Sequence, residues 1–323
     1  MSYSTTGRNA DVAAVRAAAD TFGDNVGRVI VGKEEIIQLC FVSLLCEGHI
    51  LVEDVPGIGK TTLARSIARS IEGTFRRVQC TPDLLPSDVT GIHYFNQKVG
   101  EFQFRPGPIM ANVVLVDEIN RATPRTQSCF LEAMQERQVT VDLETVDLPR
   151  PFLIIATQNP IELEGTFPLP EAQLDRFLIR LAVGYPSAEE EARMLERFQH
   201  SLSPEPVSCV LDGPTLIALQ ATCRGVYVDA SLRAYISSLC QATRNDASVR
   251  LGASPRAALA LQQTAQAHAA TRGRDYVTPD DVKAISHPVL AHRLLLETTA
   301  TLRGETPFMV IDRVLRTVPV PVD

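Results

Sequence analysis

The segment that most constrains the fold lies at residues 49–61, where an apolar run leads into a glycine-bearing turn and a Lys-Thr pair. The run is His49–Val52, and the turn reads Glu53-Asp54-Val55-Pro56-Gly57-Ile58-Gly59-Lys60-Thr61. A strand, such a turn and a helix start form a cradle in which backbone N–H groups and the helix dipole face phosphates. Lys60 would reach the outer phosphates of a nucleotide, and the Thr61 hydroxyl would hold Mg²⁺. The usual loop begins with glycine where this chain has Asp54. Whether the segment binds a nucleotide must therefore be judged from the rest of the sequence.

Apolar runs of strand length alternate with helical patterns between residue 49 and about residue 183. We read each run as lacking polar alternation, which predicts strands buried on both faces of a parallel sheet. Strands that alternate with helices predict an α/β sandwich. The runs are His49–Val52, Phe75–Cys80, Val113–Val116, Phe152–Thr157 and Leu178–Val183.

Two segments interrupt this alternation and are read as β-hairpins inserted into the sheet domain. The first covers about 92–105 and alternates polar and apolar residues on both sides of a short turn. The second covers about 139–148 and turns around Glu144. A simple nucleotide-binding sheet domain does not require either hairpin.

Beyond Tyr185 the pattern is helical only, which predicts a second, smaller domain. Ser187 can cap a helix with glutamates in its first turn, and two prolines mark 201–207 as a linker. The predicted organisation is an N-terminal helical extension over 1–24, a nucleotide-binding core over 25–186, a linker over 187–205 and an all-helical domain over 206–323.

Charge and cysteine content narrow the class of protein. The formal charge is −7, from 31 basic and 38 acidic residues, which argues against a surface devoted to nucleic acid. The seven cysteines have no Cys-x-x-Cys spacing, so we expect free thiols in a reducing compartment. The polar N-terminus and the lack of any run near the roughly 20 apolar residues of a membrane span predict a cytoplasmic protein.

Two carboxylates, Asp117 and Glu118, directly follow the apolar run Val113–Val116. Ligands of open α/β sheets bind at the carboxyl ends of the strands, where both would lie. Asp117 would hold the Mg²⁺ shell, and Glu118 would polarise the water that attacks a γ-phosphate. The alternative interpretation is a solvated acidic turn that closes the strand.

Asn159 and Arg256 are two further candidates for contact with the nucleotide. Asn159 lies in Thr157-Gln158-Asn159-Pro160, at the end of the next apolar run, and could contact the γ-phosphate or orient the water. Asn-Pro also marks turns, which is the alternative. Arg256 opens a helix, where a cation opposes the helix dipole, so it could reach back to the nucleotide and report its state to the helical domain. The alternative is a solvated arginine.

Arg176, within Leu174–Phe177, could serve as an arginine finger. A guanidinium carries a permanent charge and planar donors suited to a phosphoryl group in transit. The alternative is a surface salt bridge to Asp175 or Glu171, and Arg180 is the local competitor for the role.

In this order and spacing, these segments resemble the AAA+ ATPases and, among them, the MoxR family. The Walker A segment would be Glu53–Thr61, Walker B Val113–Glu118, sensor 1 Asn159, the arginine finger Arg176 and sensor 2 Arg256. Longer runs that read like MoxR proteins lie at 107–109, 117–122, 156–160 and 165–177, and the resemblance covers about residues 25–320. Asp54 also fits, because MoxR-like loops tend to carry Asp at that position.

The resemblance implies an AAA+ αβα sandwich with a parallel sheet (a P-loop NTPase core) and a small all-helical lid domain. It implies an ATPase that uses ATP and Mg²⁺, with Lys60, Glu118, Asn159 and Arg176 as catalytic residues and Thr61 and Asp117 as metal ligands. The Val31-Gly32 segment matches the adenine wall of such proteins. The implied nucleotide contacts are Val31, Gly32, Val55, Pro56, Gly57, Ile58, Gly59, Lys60, Thr61, Thr62 and Arg256.

The resemblance also implies a ring, because an arginine finger acts on a neighbour's nucleotide. We expect a homo-oligomer, taken as a hexamer, in which the helix-2 insert (92–105) and the pre-sensor hairpin (139–148) project toward the pore. MoxR-like ATPases are thought to be chaperones that mature or activate partner proteins, often with a von Willebrand factor A domain protein.

Three alternatives to a remodelling ATPase remain open. A nucleic-acid motor would share the inserts, but the charge of −7 and hairpins whose basic residues are Lys98 and Arg105 argue against it. A metal-chelatase motor subunit shares most of the motifs. A nucleotide-gated scaffold would bind ATP and hardly hydrolyse it, although all the expected catalytic residues are present.

Overall fold

The computed structural model describes residues 5–54, 57–142, 144–159, 165–200 and 207–321. Its strands are β1 (Ile50–Glu53), β2 (Phe75–Gln79), β3 (Gly91–Asn96), β4 (Glu101–Pro106), β5 (Val113–Asp117), β6 (Gln138–Val141), β7 (Glu144–Asp147), β8 (Leu153–Gln158), β9 (Ile179–Leu181), β10 (Val249–Leu251) and β11 (Leu295–Leu296). Its helices are α1 (Thr5–Gly27), α2 (Glu34–Leu45), α3 (Lys60–Ser70), α4 (Pro86–Thr90), α5 (Pro124–Glu136), α6 (Glu171–Leu174), α7 (Ala188–His200), α8 (Gly213–Arg224), α9 (Ala230–Asn245), α10 (Pro255–Thr271), α11 (Pro279–Leu290), α12 (Thr298–Leu302) and α13 (Pro307–Thr317).

A parallel sheet in the order β2-β5-β8-β1-β9 forms the centre of the molecule. The five predicted apolar runs become these five strands, which confirms the α/β sandwich. The parallel register places the carboxyl ends of β5, β8 and β1 side by side. Ala156 of β8 lies opposite Leu51 of β1 on one side and opposite Val116 of β5 on the other. Loops that follow these strands therefore meet at one edge of the sheet.

Strand β2 corrects the prediction that every strand is buried on both faces. It lies at the edge of the sheet and pairs with β5 alone. Arg76, Arg77 and Gln79 are exposed, and Val78 is the buried residue of the strand. Alternation along an edge strand sends successive side chains to opposite faces, so its polar residues can face a site.

Two antiparallel hairpins, β3–β4 and β6–β7, extend from the sheet domain and confirm the two predicted inserts. Phe95 pairs with Phe102 across the first hairpin, with ring centroids 5.3 Å apart. These side chains are 51% and 72% exposed. His93 Nδ1 lies 2.9 Å from a carboxylate oxygen of Asp142, which joins the two hairpins.

The C-terminal helices begin where their sequence signals predict. Asp229 and Ser254 cap α9 and α10, and Thr278 forms a capping box with Asp281 at α11. The prediction of helices only is wrong in one respect, because β10 and β11 form a two-stranded antiparallel pair. These short strands join the start of α10 to the segment after α11, regions far apart in the sequence.

The predicted extension and linker both contain helix. Helix α1 runs to Gly27, past the predicted boundary at residue 24, and packs against α2, α3, α8 and α10. Helix α7 occupies most of the predicted linker, with Ser187 Oγ accepting a hydrogen bond from the Glu190 N–H; residues 201–206 lie outside the described part. One hydrophobic core joins α1, one face of the sheet and the C-terminal helices, so the sheet and these helices pack as one body. Over the described ranges, no helix has the length and apolarity that a membrane crossing requires.

Candidate functional site

The described part of the turn between β1 and α3 has backbone features typical of a phosphate-binding loop. Gly57 and Gly59 have φ angles of 88° and 86°, a region that glycine adopts without steric cost. Helix α3 begins at Lys60, so its first N–H groups face the turn. Lys60 Nζ donates to the Asp54 carbonyl oxygen at 3.0 Å, which holds the ammonium over the loop. Val55 and Pro56 lie outside the described residues.

The carboxylate of Asp54 is bonded away from this loop. It accepts a hydrogen bond from the backbone N–H of Gly184, just beyond β9. A carboxylate this near a bound phosphate is expected to face away from it, toward solvent or a basic residue, and the partners of Asp54 include this backbone donor. Asp54 thus ties the start of the loop to the segment that leads into α7.

A cavity of about 210 Å³ lies against the loop, at the carboxyl edge of the sheet. It brings together seven of the predicted site residues, which are Gly57, Gly59, Lys60, Thr61, Asp117, Glu118 and Asn159. The remaining lining residues are Arg77, Gln79 and Thr157.

Asp117 is held from two neighbouring strands. Thr157 of β8 donates its hydroxyl to Asp117 Oδ1 at 2.8 Å. Arg77 of β2 donates to Asp117 Oδ2 from Nη2 at 2.6 Å and from Nε at 2.9 Å. The carboxylate is therefore fixed in orientation at the edge of the cavity.

Glu118 adopts a left-handed backbone conformation, with φ 55° and ψ 52°, at the turn after β5. Its N–H donates to Thr157 Oγ1 at 2.9 Å. Its carboxylate Oε2 accepts from Gln79 Nε2 at 3.2 Å and lies 2.9 Å from Arg121 Nε. A non-glycine residue in this conformation carries strain that the surrounding hydrogen bonds offset, and such residues concentrate at functional sites.

Arg77 and Gln79 are functional candidates that the sequence reasoning missed. The signal was present in Phe75-Arg76-Arg77-Val78-Gln79, where residues two apart share a face of the strand. Gln79 pairs in register with Asp117, which brings both polar side chains to the carboxylates. We overlooked them because the run was read as buried on both faces.

The donor set of the cavity suits a small hard cation. The Thr61 hydroxyl and the Asp117 carboxylate supply the oxygen ligands that Mg²⁺ prefers, beside a loop suited to phosphates. Within the described ranges, no cluster of three or more His, Cys, Asp or Glu side chains forms a separate metal site. Cys80, buried nearby, stays neutral because burial and then the charges of Asp117 and Glu118 raise its pKa to about 12.

Arg176 and Arg256 lie together in a different place, a cleft of about 430 Å³ between the sheet domain and the C-terminal helices. Asp175 accepts from Ser254 Oγ and Arg293 Nε, each at 2.8 Å. Ser254 caps the helix that carries Arg256, so Asp175 holds the two arginine-bearing segments side by side. Arg256 was predicted to reach back to the nucleotide of its own chain, but the structure places it with Arg176 instead of in the phosphate cavity.

Arg180, the competitor for the arginine-finger role, is engaged elsewhere. Its guanidinium forms an ion pair with Glu53 at 2.8 Å and lies 5.7 Å from the ring centre of Phe308. These contacts hold the Arg180 side chain between β1 and α13.

The predicted adenine wall packs against the start of α7. Val31 is buried, and Gly32 has φ 71°. A Cβ at Gly32 would meet the Glu190 carboxylate, the end of a side chain that can move, so the positive φ is the reason that glycine suits this position. Thr62 is exposed on the first turn of α3.

The parallel sheet, its phosphate loop and its paired carboxylates define a P-loop ATPase core of the AAA class with a helical lid. Residues 49–179 match the ATPase family associated with various cellular activities (AAA), and residues 241–313 match the AAA lid domain. More narrowly, the chain belongs to the MoxR family of AAA+ ATPases. It is 44% identical to the chaperone MoxR1 of Mycobacterium tuberculosis, over 92% of this chain and 80% of that protein.

Two further relatives cover nearly the whole chain. The uncharacterized protein YeaC of Bacillus subtilis is 48% identical over 93% of both chains. A crystal structure of an inferred ATPase from Cytophaga hutchinsonii is 36% identical and superposes with a TM-score of 0.91, over 98% of this chain and 99% of that one. This extensive similarity supports the αβα sandwich with a lid as the fold of the full chain.

Proposed function

We propose that this protein hydrolyses ATP to ADP and phosphate at the junctions of a homo-oligomeric ring, taken as a hexamer, and uses the cycle to remodel partner proteins. The observation that carries the proposal is the separation of two half-sites on one chain. One half-site is the phosphate cavity with Lys60 and Glu118, and the other is the cleft with Arg176 and Arg256. A complete site therefore needs the second half-site of another copy.

In the phosphate half-site, each residue has a separate task. Backbone N–H groups of the loop and Lys60 bind the phosphates. Mg²⁺ held by Thr61 and Asp117 would neutralise phosphate charge when bound. Glu118 orients the attacking water, and Gln79 and Arg121 fix its carboxylate beforehand. Asn159 senses the γ-phosphate from the end of β8.

In the other half-site, Arg176 and Arg256 face a neighbour's nucleotide as a pair. Arg176 stabilises the charge of the transferring phosphoryl group. Arg256 contributes a second cation from the lid, a revision of the role first assigned to it within its own chain. The Asp175 contacts with Ser254 and Arg293 support this arrangement because they make the two arginines move together.

The remodelling part of the proposal is supported by a relative and by the first hairpin. The Mycobacterium tuberculosis relative is named a chaperone. Phe95 and Phe102 present a largely exposed apolar pair on the β3–β4 hairpin, which suits a protein client. A von Willebrand factor A domain protein is the partner we propose.

Lys60→Ala is expected to abolish measurable binding of ATP. Removing one side of a charged contact costs about 2–5 kcal/mol, and Lys60 is the loop's charged side chain toward the phosphates. Isothermal titration with a non-hydrolysable ATP analogue gives the affinity, and Lys98→Ala on the β3–β4 hairpin is the control. Wild-type affinity in the Lys60 variant would contradict the assigned phosphate site.

Phe95→Ser combined with Phe102→Ser is expected to release client proteins from the ring. The pair forms a small aromatic contact of the kind whose truncation costs about 2 kcal/mol or more. Capture by a Glu118→Gln ring held in ATP, followed by mass spectrometry, measures the loss. Tyr94→Ser alters the opposite face of the same hairpin and should retain the captured proteins. Equal capture by both variants would show that Phe95 and Phe102 do not bind the client.

A further inference from the structure

Both oxygens of the Asp117 carboxylate already have partners. Oδ1 accepts from Thr157, and Oδ2 accepts from Nε and Nη2 of Arg77. The Asp117 side chain is 12% exposed, whereas that of Arg77 is 49% exposed. The Asp117 side chain is therefore held in place beside its strand, whereas the Arg77 side chain has room to move.

The charges around the cavity explain why Arg77 sits there. Asp117 and Glu118 are consecutive carboxylates that repel each other at the end of β5. Arg77 pairs with the first and Arg121 with the second. Gln79 links the two pairs, because it accepts from Arg77 Nη2 at 3.0 Å and donates to Glu118.

A magnesium ion at the Thr61–Asp117 position would need the same carboxylate. The ion itself, or a water bound to it, must use a lone pair of the Asp117 carboxylate. Arg77 already holds Oδ2 of that carboxylate with two hydrogen bonds. A guanidinium and a divalent cation close to one carboxylate also repel each other. Metal capture and the Arg77–Asp117 pair are thus opposed.

We propose that Arg77 is a tethered counter-ion that competes with Mg²⁺ for Asp117, so that metal capture requires Arg77 to release the carboxylate. The proposal rests on the assignment of the cavity as the Mg·ATP site. The released guanidinium stays in the cavity wall, where its charge suits phosphate oxygens. Arg77 is therefore a positioning residue that opposes metal binding at Asp117 and so weakens the effect of Mg²⁺ on nucleotide affinity.

The test measures coupling between metal and nucleotide, without turnover. The affinity of the wild-type protein for the fluorescent probe mant-ADP is measured in EDTA and in Mg²⁺, and the ratio of the two dissociation constants is the coupling. In Arg77→Gln we expect this ratio to rise by about fivefold or more. Arg77→Lys should give an intermediate ratio, because an ammonium keeps the charge but lacks the planar fork.

Arg76→Gln is the matched control. It removes the same charge from the adjacent residue, which points to the opposite face of β2. Its coupling ratio should equal that of the wild type. Thermal unfolding of each variant checks that the edge strand is intact, and Arg77→Lys carries the test if Arg77→Gln does not fold.

The coupling ratio distinguishes two roles of Arg77, which are competition with Mg²⁺ for Asp117 and support of the metal site. An unchanged or lower coupling ratio in Arg77→Gln would overturn the proposal and make Arg77 a support for the metal site. An equal rise of the coupling ratio in Arg76→Gln would also overturn the proposal, because the loss of any nearby positive charge would then explain the effect. Absence of mant-ADP binding by the wild type would overturn the proposed function and this inference together.

Discussion

Replacing Arg176 by alanine is expected to lower kcat for ATP by about 10³-fold or more, with little change in nucleotide affinity. A loss of that size corresponds to about 4 kcal/mol of transition-state stabilisation. Arg176 lies in the cleft with Arg256, outside the phosphate cavity of its own chain. Its removal should leave that cavity unchanged and act on the neighbour's reaction.

Steady-state turnover at concentrations where the wild type forms rings measures the effect. Size-exclusion chromatography with light scattering must show that the variant still assembles. Arg180→Ala is the matched control, because Arg180 pairs with Glu53 and contacts Phe308. Full turnover by Arg176→Ala together with a loss in Arg180→Ala would move the arginine-finger role to Arg180.

Replacing Glu118 by glutamine is expected to slow hydrolysis by about 10²–10⁴-fold while ATP still binds. The amide keeps the shape of the side chain but cannot accept a proton from water. The phosphate contacts that we propose come from the loop and Lys60, which this substitution does not touch. The variant should therefore hold ATP in a stalled ring.

Single-turnover quench measurements separate binding from the chemical step for this variant. Glu101→Gln, an exposed carboxylate on the β3–β4 hairpin, controls for the loss of one negative charge. Wild-type turnover by Glu118→Gln would exclude Glu118 as the residue that orients water.

The phosphate half-site could be predicted because its parts are local in the sequence. The loop, its two glycines and Lys60 are contiguous, and Asp117 and Glu118 directly follow a buried strand. Parallel strands carry such residues to one edge of the sheet whatever the loops between them do. The caps at Ser254 and Thr278 were equally local.

The features that the sequence reasoning missed depend on contacts between distant segments. Arg77 reaches Asp117 because β2 is an edge strand beside β5, a fact set by strand order. Arg256 lies beside Arg176 because Asp175 binds Ser254 and Arg293, which are 79 and 118 residues away. The β10–β11 pair likewise joins segments that no local pattern connects.

The most direct test of a site shared between copies is to mix two inactive variants. Lys60→Ala lacks the phosphate half-site and keeps Arg176, whereas Arg176→Ala has the reverse defect. Each alone should be inactive. In mixed rings at equal amounts, about a quarter of the junctions should combine two intact half-sites, so ATP turnover should reappear. If mixing restores no turnover although the two variants assemble together, the claim of a shared site is contradicted.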